Sequence, residues 1–314
     1  MSFKDEQWVV YEGTEGAGKG KHIVFVSGDE EYRSEEALPL LAQILAVHHG
    51  FKCTVLFAID PETGVIDPVN QTNIPGLENL ETADMMVLSL RFRELPDEQM
   101  KYIIDYTNAG KPIMGLRTAT HSFNYTRNKN SIYAKYDFRS QEFDGGYGRQ
   151  VLGETWINHH GHHGKEATYG LINGTYASHP IVKGVKEIWG PTDVYTVTKL
   201  TGDPEILVYG LVLSGMNPSD PPNYDKPIMP LAWVKTYTGE TGNTSRVFCT
   251  TMGASIDLKS EGLRRLLVNG CYWCMGMEDQ IPDCSNVDYV KEYEPLFYGF
   301  GTHKKNVRPS DLKL

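Results

Sequence analysis

The run His22-Ile23-Val24-Phe25-Val26-Ser27-Gly28-Asp29-Glu30-Glu31-Tyr32-Arg33-Ser34-Glu35-Glu36 decides how the rest of the chain is read. Four consecutive branched or aromatic apolar residues, Ile23 to Val26, predict a strand buried on both faces. The polar stretch from Gly28 to Arg33 ends it. Ser34 followed by two carboxylates is a helix start, because a hydroxyl caps free N–H groups and acidic side chains suit the positive end of the helix dipole. Leu38, Leu41, Ile44 and Leu45, then Val47 or His48, recur at helical spacing, and Gly50 stops the helix.

Outward from this unit the same alternation repeats. Lys52 to Phe57 reads as a second strand. After a loop containing Pro61, Gly64, Pro68 and Pro75 come a third strand over Asp84 to Leu90, a helix over Pro96 to Ala109 closed by Gly110, and a fourth strand over Pro112 to Leu116. Strands alternating with helices imply a parallel sheet covered on both sides. Residues 124–150 are polar, aromatic and Gly-rich, the composition of a long functional loop. Shorter strand candidates follow at Asp193–Val197, Ile206–Leu213 and Leu231–Tyr237, the last two suited to an antiparallel extension. Arg246 to Met252 is a late strand and Glu261 to Met275 a final helix. The expected fold is α/β, a flavodoxin-like parallel sheet with helices on both faces and an antiparallel extension. Its expected divisions are an irregular lead-in over 1–20, the α/β domain over 21–278, and a tail over 279–314 that wraps the surface.

Composition narrows the partners. The net charge is −10 and no dense Lys/Arg run occurs, so neither nucleic acid nor an anionic membrane surface is an expected partner. No apolar stretch approaches the ~20 residues of a spanning helix. Met1 to Glu6 lack an apolar secretory core, so the expectation for the chain as written is the cytoplasm, and the periplasm or the cell exterior if a signal has been removed; the compartment itself stays open. Five cysteines, sparse and odd in number, do not read as a disulfide framework. Cys271-Tyr272-Trp273-Cys274 has redox spacing but sits late in an apolar helix, so core packing is the better reading. Gly13 to Gly20 nearly matches a phosphate loop. It has glycine where the magnesium-binding hydroxyl belongs, and it precedes a strand instead of joining strand to helix, so it reads as an entry segment.

In a parallel α/β sheet, chemistry collects beyond the carboxyl ends of the strands. Those ends offer Asp29, Glu30, Glu31, Tyr32 and Arg33; Arg91 and Arg93; Arg117, Thr118, Thr120 and His121; and Ser255 and Asp257. Arginines and carboxylates therefore converge, either as an internal network or as a site for an anionic or carbonyl oxygen. The second concentration of chemistry is Glu154-Thr155-Trp156-Ile157-Asn158-His159-His160-Gly161-His162-His163-Gly164, which holds four of the ten histidines. Imidazole binds transition metals and moves protons near neutral pH. In an extended segment His160 and His162 share one side, and His159 and His163 the other, unless a turn at Gly161 bends the chain.

The expected metal ligands are therefore drawn from His159, His160, His162 and His163, completed by Glu154 or Asp257 around zinc or a similar divalent ion. Hydrogen bonding, substrate contact or an exposed loop are the other readings of the run. For acid–base chemistry the candidates are His160, His162, His121 and Glu30. Substrate contacts are expected from Glu31, Tyr32, Arg33, Arg91, Arg93, Arg117, Thr118, Trp156 and Asn158, with Tyr147 and the Gly145-Gly146 turn as further stacking and hydroxyl contacts.

The order of these pieces resembles the trehalose-utilisation (ThuA-like) family, a branch of the class I glutamine amidotransferase-like fold. The resemblance covers about residues 20–278. It rests on Ser27 to Arg33, Lys111 to Arg117, Gly153 to His159, His179-Pro180-Ile181 with Asp193-Val194-Tyr195, Arg246 to Gly253, and the final helix with Trp273 and Gly276. In amidotransferases the strand corresponding to 112–116 leads to a cysteine nucleophile. Arg117, Thr118 and Ala119 stand there instead, so a glutaminase-type thiol mechanism is not expected. Relatives often carry histidine at the place of Arg117 and after the glycine corresponding to Gly253, where this chain has Ala254. The resemblance implies carbohydrate metabolism. The expected function is hydrolysis or elimination on a sugar or keto-sugar derivative by His/carboxylate chemistry, metal-assisted or not, with a small carbohydrate as partner; a homo-oligomer is compatible with it. The alternatives are a non-catalytic sugar-binding or assembly protein on a fold without its nucleophile, and a hydrolase using Thr118 with His121 as base.

Overall fold

In the computed structural model, residues 7–314 are described. The strands are β1 (Trp8–Tyr11), β2 (His22–Gly28), β3 (Lys52–Phe57), β4 (Met85–Leu90), β5 (Ile113–Leu116), β6 (Thr168–Ile172), β7 (Ile188–Gly190), β8 (Glu205–Val212), β9 (Met229–Thr238) and β10 (Thr244–Thr250). The helices are α1 (Ser34–His49), α2 (Asp97–Asn108) and α3 (Glu261–Cys274). One sheet contains every strand, in the order β1-β3-β2-β4-β5-β10-β9-β8-β6-β7. Its centre, β3-β2-β4-β5-β10, is parallel, with Ile23 opposite Met85 and Phe248 opposite Met114. From β9 onward the pairing is antiparallel, which is the expected extension.

The alternation of β2 sorts the core. Ile23 and Phe25 pack with α1 and α3 on one face, while Val24 and Val26 pack with α2 and the 119–152 segment on the other. Because both faces are covered, the strand needs apolar residues at every position. Gly50 ends α1 in the left-handed region at φ 80°, its N–H bonded back to the carbonyls of Leu45 and Ala46.

Three features differ from the sequence reading. Trp8–Tyr11, expected in an irregular lead-in, pairs antiparallel with β3 as the sheet edge. Asp193–Val197 is not a strand: it makes only an isolated bridge, between Tyr195 and His159. The extension also holds β6 and β7. A glycine interrupts the former, and the latter has three residues, so neither gives a recognisable period-2 pattern. Among the described residues no helix is long and apolar enough to cross a membrane.

Cys271 and Cys274 are buried in α3, as are Cys53 and Cys249 in the sheet, while Cys284 is exposed. Burial pushes the Cys271 and Cys274 thiols up, which suppresses the reactive thiolate. Native labelling with a thiol reagent is therefore expected to stop at one equivalent, on Cys284, and rapid modification of Cys271 or Cys274 would contradict this packing.

Candidate active site

The carboxyl ends of β2, β4, β5 and β10 lie side by side, with Gly28 paired to Leu90 and Thr250 to Leu116. The segments that leave them converge, as the topology requires. Asp29 is fully buried and structural: its carboxylate accepts the N–H groups of Glu31 and Tyr32 and the Thr118 hydroxyl, the last at 2.6 Å. Thr118 is thus sealed in the core and committed as a donor, which removes it as a nucleophile. Its suggested base, His121, is also buried. His121 contacts Thr120 Oγ1 through Nδ1 and stacks among Phe92, Phe138 and Trp156. Burial, with the nearby Arg91 and Arg117 charges, holds its pKa well below the usual imidazole value, so it is neutral packing behind Trp156.

Arg117 organises the centre. Its side chain and that of Asp193 are both fully buried, and Nη2 donates to Asp193 Oδ1 at 3.1 Å. Nη1 donates to the carbonyls of Asp193 and Thr251 at 2.7 and 2.8 Å. The guanidinium lies between the rings of Tyr32 and Tyr195, 4.4 and 4.0 Å from their centroids, a desolvated cation–π arrangement. Nη2 also donates to the Tyr32 hydroxyl at 3.2 Å.

Two histidines meet the same carboxylate. His159 Nδ1 is 2.6 Å from Asp193 Oδ2, and His163 Nδ1 is 3.0 Å from Oδ1. The rings of His159 and His163 are 4.8 Å apart, and each side chain is about a third exposed, so reactants can reach them while Asp193 stays dry. Burial would raise the Asp193 carboxyl, but the Arg117 charge and the bonds from both imidazoles outweigh it and hold the group well below the usual carboxylate range. His163 also approaches Glu31, Nε2 to Oε1 3.3 Å. Its bond to Asp193, opposed by desolvation and helped by the charges of Asp193 and Glu31, raises the imidazole. Glu31 is raised too, because desolvation exceeds the opposing attraction of Arg91. Both shifts favour the protonated form, so a proton is held more firmly at the His163–Glu31 contact than on either group alone in water.

The turn at Gly161 explains which histidines converge. The N–H groups of His160 and Gly161 both donate to Val194 O, at 2.8 and 3.0 Å. A side chain at 161 would put its Cβ 3.1 Å from that of Asp193, so glycine lets the chain pass this close without displacing Asp193. The segment is bent, not extended, and it brings His159 and His163 to one place. The expected pair, His160 and His162, does not face Asp193. His160 Nε2 contacts the Pro227 carbonyl at 2.8 Å, and His162 is exposed, its backbone N–H bonded to Glu166.

The other expected residues divide in the same way. Glu30 is clamped by Arg91 and Arg93 and touches neither histidine, whereas its neighbour Glu31 does. Arg93 is buried and further bonded to the carbonyls of Pro68 and Asn70. Arg91 bridges Glu30 and Glu31. Arg33, buried and in the left-handed region at φ 61°, donates to the carbonyls of Glu30 and Gly299 and to Thr302. Trp156 lies edge-on to His159 at 5.6 Å, while Asn158 is exposed and accepts from the Thr196 hydroxyl. Tyr147 is buried against Thr107, and Gly146 abuts the Asp137 carbonyl, so neither reaches this site. Glu154 is paired with Arg149, and Asp257 is bonded to Thr192 and the N–H groups of Gly253 and Ala254; neither joins the histidines. Asp193, Tyr195 and Tyr298 are the residues whose place in the site sequence reasoning missed. The sequence signal for Asp193 and Tyr195 was their place in the Asp193-Val194-Tyr195 piece of the family resemblance, which carried no site role.

His159, His163 and Asp193 are a group whose potential metal-donor atoms lie within 4.8 Å of one another. As arranged, these donors are hydrogen-bonded to one another. Two ligands each ~2.0–2.2 Å from a tetrahedral zinc stand about 3.3 Å apart, but His159 Nδ1 and Asp193 Oδ2 are at hydrogen-bond distance, 2.6 Å. The carboxylate is already neutralised by a buried guanidinium. These contacts suit proton transfer, and the same three donors could also hold a divalent ion.

The trehalose-utilisation (ThuA) family model matches residues 22–274. Among solved structures, a putative ThuA-like protein from Parabacteroides merdae ATCC 43184 is similar at 16% identity and a TM-score of 0.51, over 90% of this chain and 96% of that one. A putative ThuA-like protein from Bacteroides uniformis ATCC 8492 is similar at 14% identity and a TM-score of 0.49, over 84% and 95% of the two chains. No match to a curated protein sequence is found. The matched residues contain the parallel centre, the antiparallel extension and the Arg117–Asp193–His159 centre, and the chain belongs to the trehalose-utilisation family.

Proposed function

We propose that the chain is an enzyme acting on a sugar or keto-sugar derivative, with His159 as the proton-transfer group and Asp193 as its orienting partner. The observation that carries this reading is the contact of the partly exposed His159 ring, through Nδ1, with a fully buried, Arg117-locked carboxylate. A carboxylate at Nδ1 fixes the tautomer with its proton there and leaves Nε2 as the basic atom. Nε2 has no hydrogen-bond partner among the described residues. It is therefore free to take a proton from a carbon beside a ketone, which begins elimination, or from a water, which begins hydrolysis. The His163–Glu31 contact supplies the complementary acid, returning a proton to the departing oxygen. Arg91, beside Glu31 and partly exposed, offers a fixed positive charge to a developing oxyanion.

The test is His159→Ala, checked for folding and assayed on glycosides and their mono-ketone forms, with and without chelator. A loss of about 10²–10⁴-fold in kcat/KM is expected, with wild-type activity indifferent to chelator. Turnover by the wild type that survives in His159→Ala would move the chemistry elsewhere. Binding without turnover in the wild type would leave the sugar-binding alternative.

A further inference from the structure

The segment after α3 is the one part of the site that lies outside the residues matched by the family model. It is tied in at several points. Gly299 N donates to Glu31 O, and Arg33 donates to Gly299 O and Thr302. Tyr298 is buried, packs on Tyr32 at 5.4 Å, and lies 5.1 Å from His163. On either side of it two aromatic rings remain open to solvent. Phe297 is 48% exposed and stacks on Tyr298 at 4.3 Å; Phe300 is 59% exposed and faces the Arg91 guanidinium at 5.0 Å. Exposed phenylalanines are not required by this packing, since Tyr298, Gly299 and Thr302 make the anchoring contacts.

We infer that Phe297 and Phe300 form an aromatic wall that takes the second ring, or the aglycone, of a glycoside whose first ring sits over His159 and His163. This rests on the proposed reading of the Asp193–His159 centre. The rings are continuous with that centre, because Tyr298 touches His163, and Arg91 links Phe300 to Glu31, which faces His163. Sugar rings present C–H faces that pack on aromatic faces while their hydroxyls stay hydrated, so half-exposed phenylalanine suits a ring that is held but not engulfed. Apart from the Arg91 contact the wall presents ring faces, which suit the C–H face of a neutral sugar ring. The tail thus sets substrate size, and the family-matched part of the chain carries the proton transfer.

The test compares the wild type with Phe297→Ala, Phe300→Ala, the double variant, and Phe300→Trp, all confirmed as folded. Calorimetry is run with trehalose and other neutral disaccharides and their mono-ketone forms, alongside the corresponding monosaccharides. About tenfold weaker binding of the two-ring probes by the double variant is expected. Monosaccharide binding should be unchanged, and Phe300→Trp should keep wild-type affinity. Equal losses for one-ring and two-ring probes would overturn the inference, as would no loss at all or no binding of any two-ring probe by the wild type. A centre that fails instead shows itself as undiminished turnover in His159→Ala, which leaves the size selectivity of the phenylalanine variants to be read independently.

Discussion

Arg117→Ala is expected to lose roughly 3–5 kcal/mol of unfolding free energy, read from urea denaturation. Both members of the Arg117–Asp193 pair have fully buried side chains, so removing the guanidinium leaves a carboxylate in the interior with only two imidazoles to compensate it. It also strips donors from the carbonyls of Asp193 and Thr251 and empties the space between Tyr32 and Tyr195. Lysine should not rescue the loss, because a point ammonium cannot reproduce a fork that serves two carbonyls and a carboxylate at once. Residue 117 sits in the left-handed region at φ 47°. Arg117→Gly therefore separates backbone strain from lost pairing: it should be slightly less destabilised than the alanine variant. The pair also predicts a pH dependence. Asp193 is held below its ordinary value of 3.8, so its stabilisation is present above that pH and is lost as pH falls toward the folded value. Acid unfolding of Arg117→Ala should begin at a higher pH than in the wild type. A variant within about 1 kcal/mol of wild type would show that the ion pair is not desolvated.

Asp193→Asn is expected to cost about 10²–10⁴ in kcat/KM while keeping the fold. The substitution is close in shape but neutral, and its amide brings donors where Arg117, His159 and His163 already donate. At least one of those contacts must then break or change tautomer. If the His159 proton moves to Nε2, the basic atom is lost from the face that meets substrate. Full activity in a folded Asp193→Asn variant would remove Asp193 from the chemistry. Activity lost through KM alone would make it a binding residue.

The parallel centre was legible because every strand there is buried on both faces and so must be written as an unbroken apolar run. The edges were not: Trp8–Tyr11, Thr168–Ile172 and Ile188–Gly190 are short or broken by glycine, and their pairing depends on neighbours distant in sequence. The strand-end rule located Glu31, Tyr32, Arg91 and Arg117, since topology alone brings those ends together. It could not find Asp193, which lies in a loop between β7 and β8 and not at the carboxyl end of a parallel strand. Nor could spacing choose among the histidines. That choice turns on a bend at Gly161 held by one carbonyl, Val194 O, thirty-three residues away. The run of four pointed to the segment that meets Asp193, while the pairing within it was decided by tertiary contact.

The anchoring of Gly299 and Thr302 by Arg33 has a kinetic consequence. Those partners are separated by 266 and 269 residues, so closing this contact demands a very large loop, and no local helix or hairpin can form it early. The sheet can assemble from neighbouring βα units, but the wall beside His163 must wait until the two far portions of the chain are brought together. In refolding, a probe of the central strands should recover before Tyr298 returns to Tyr32. The population present between those events would be native-like in its core, and open on the side where the last segment docks.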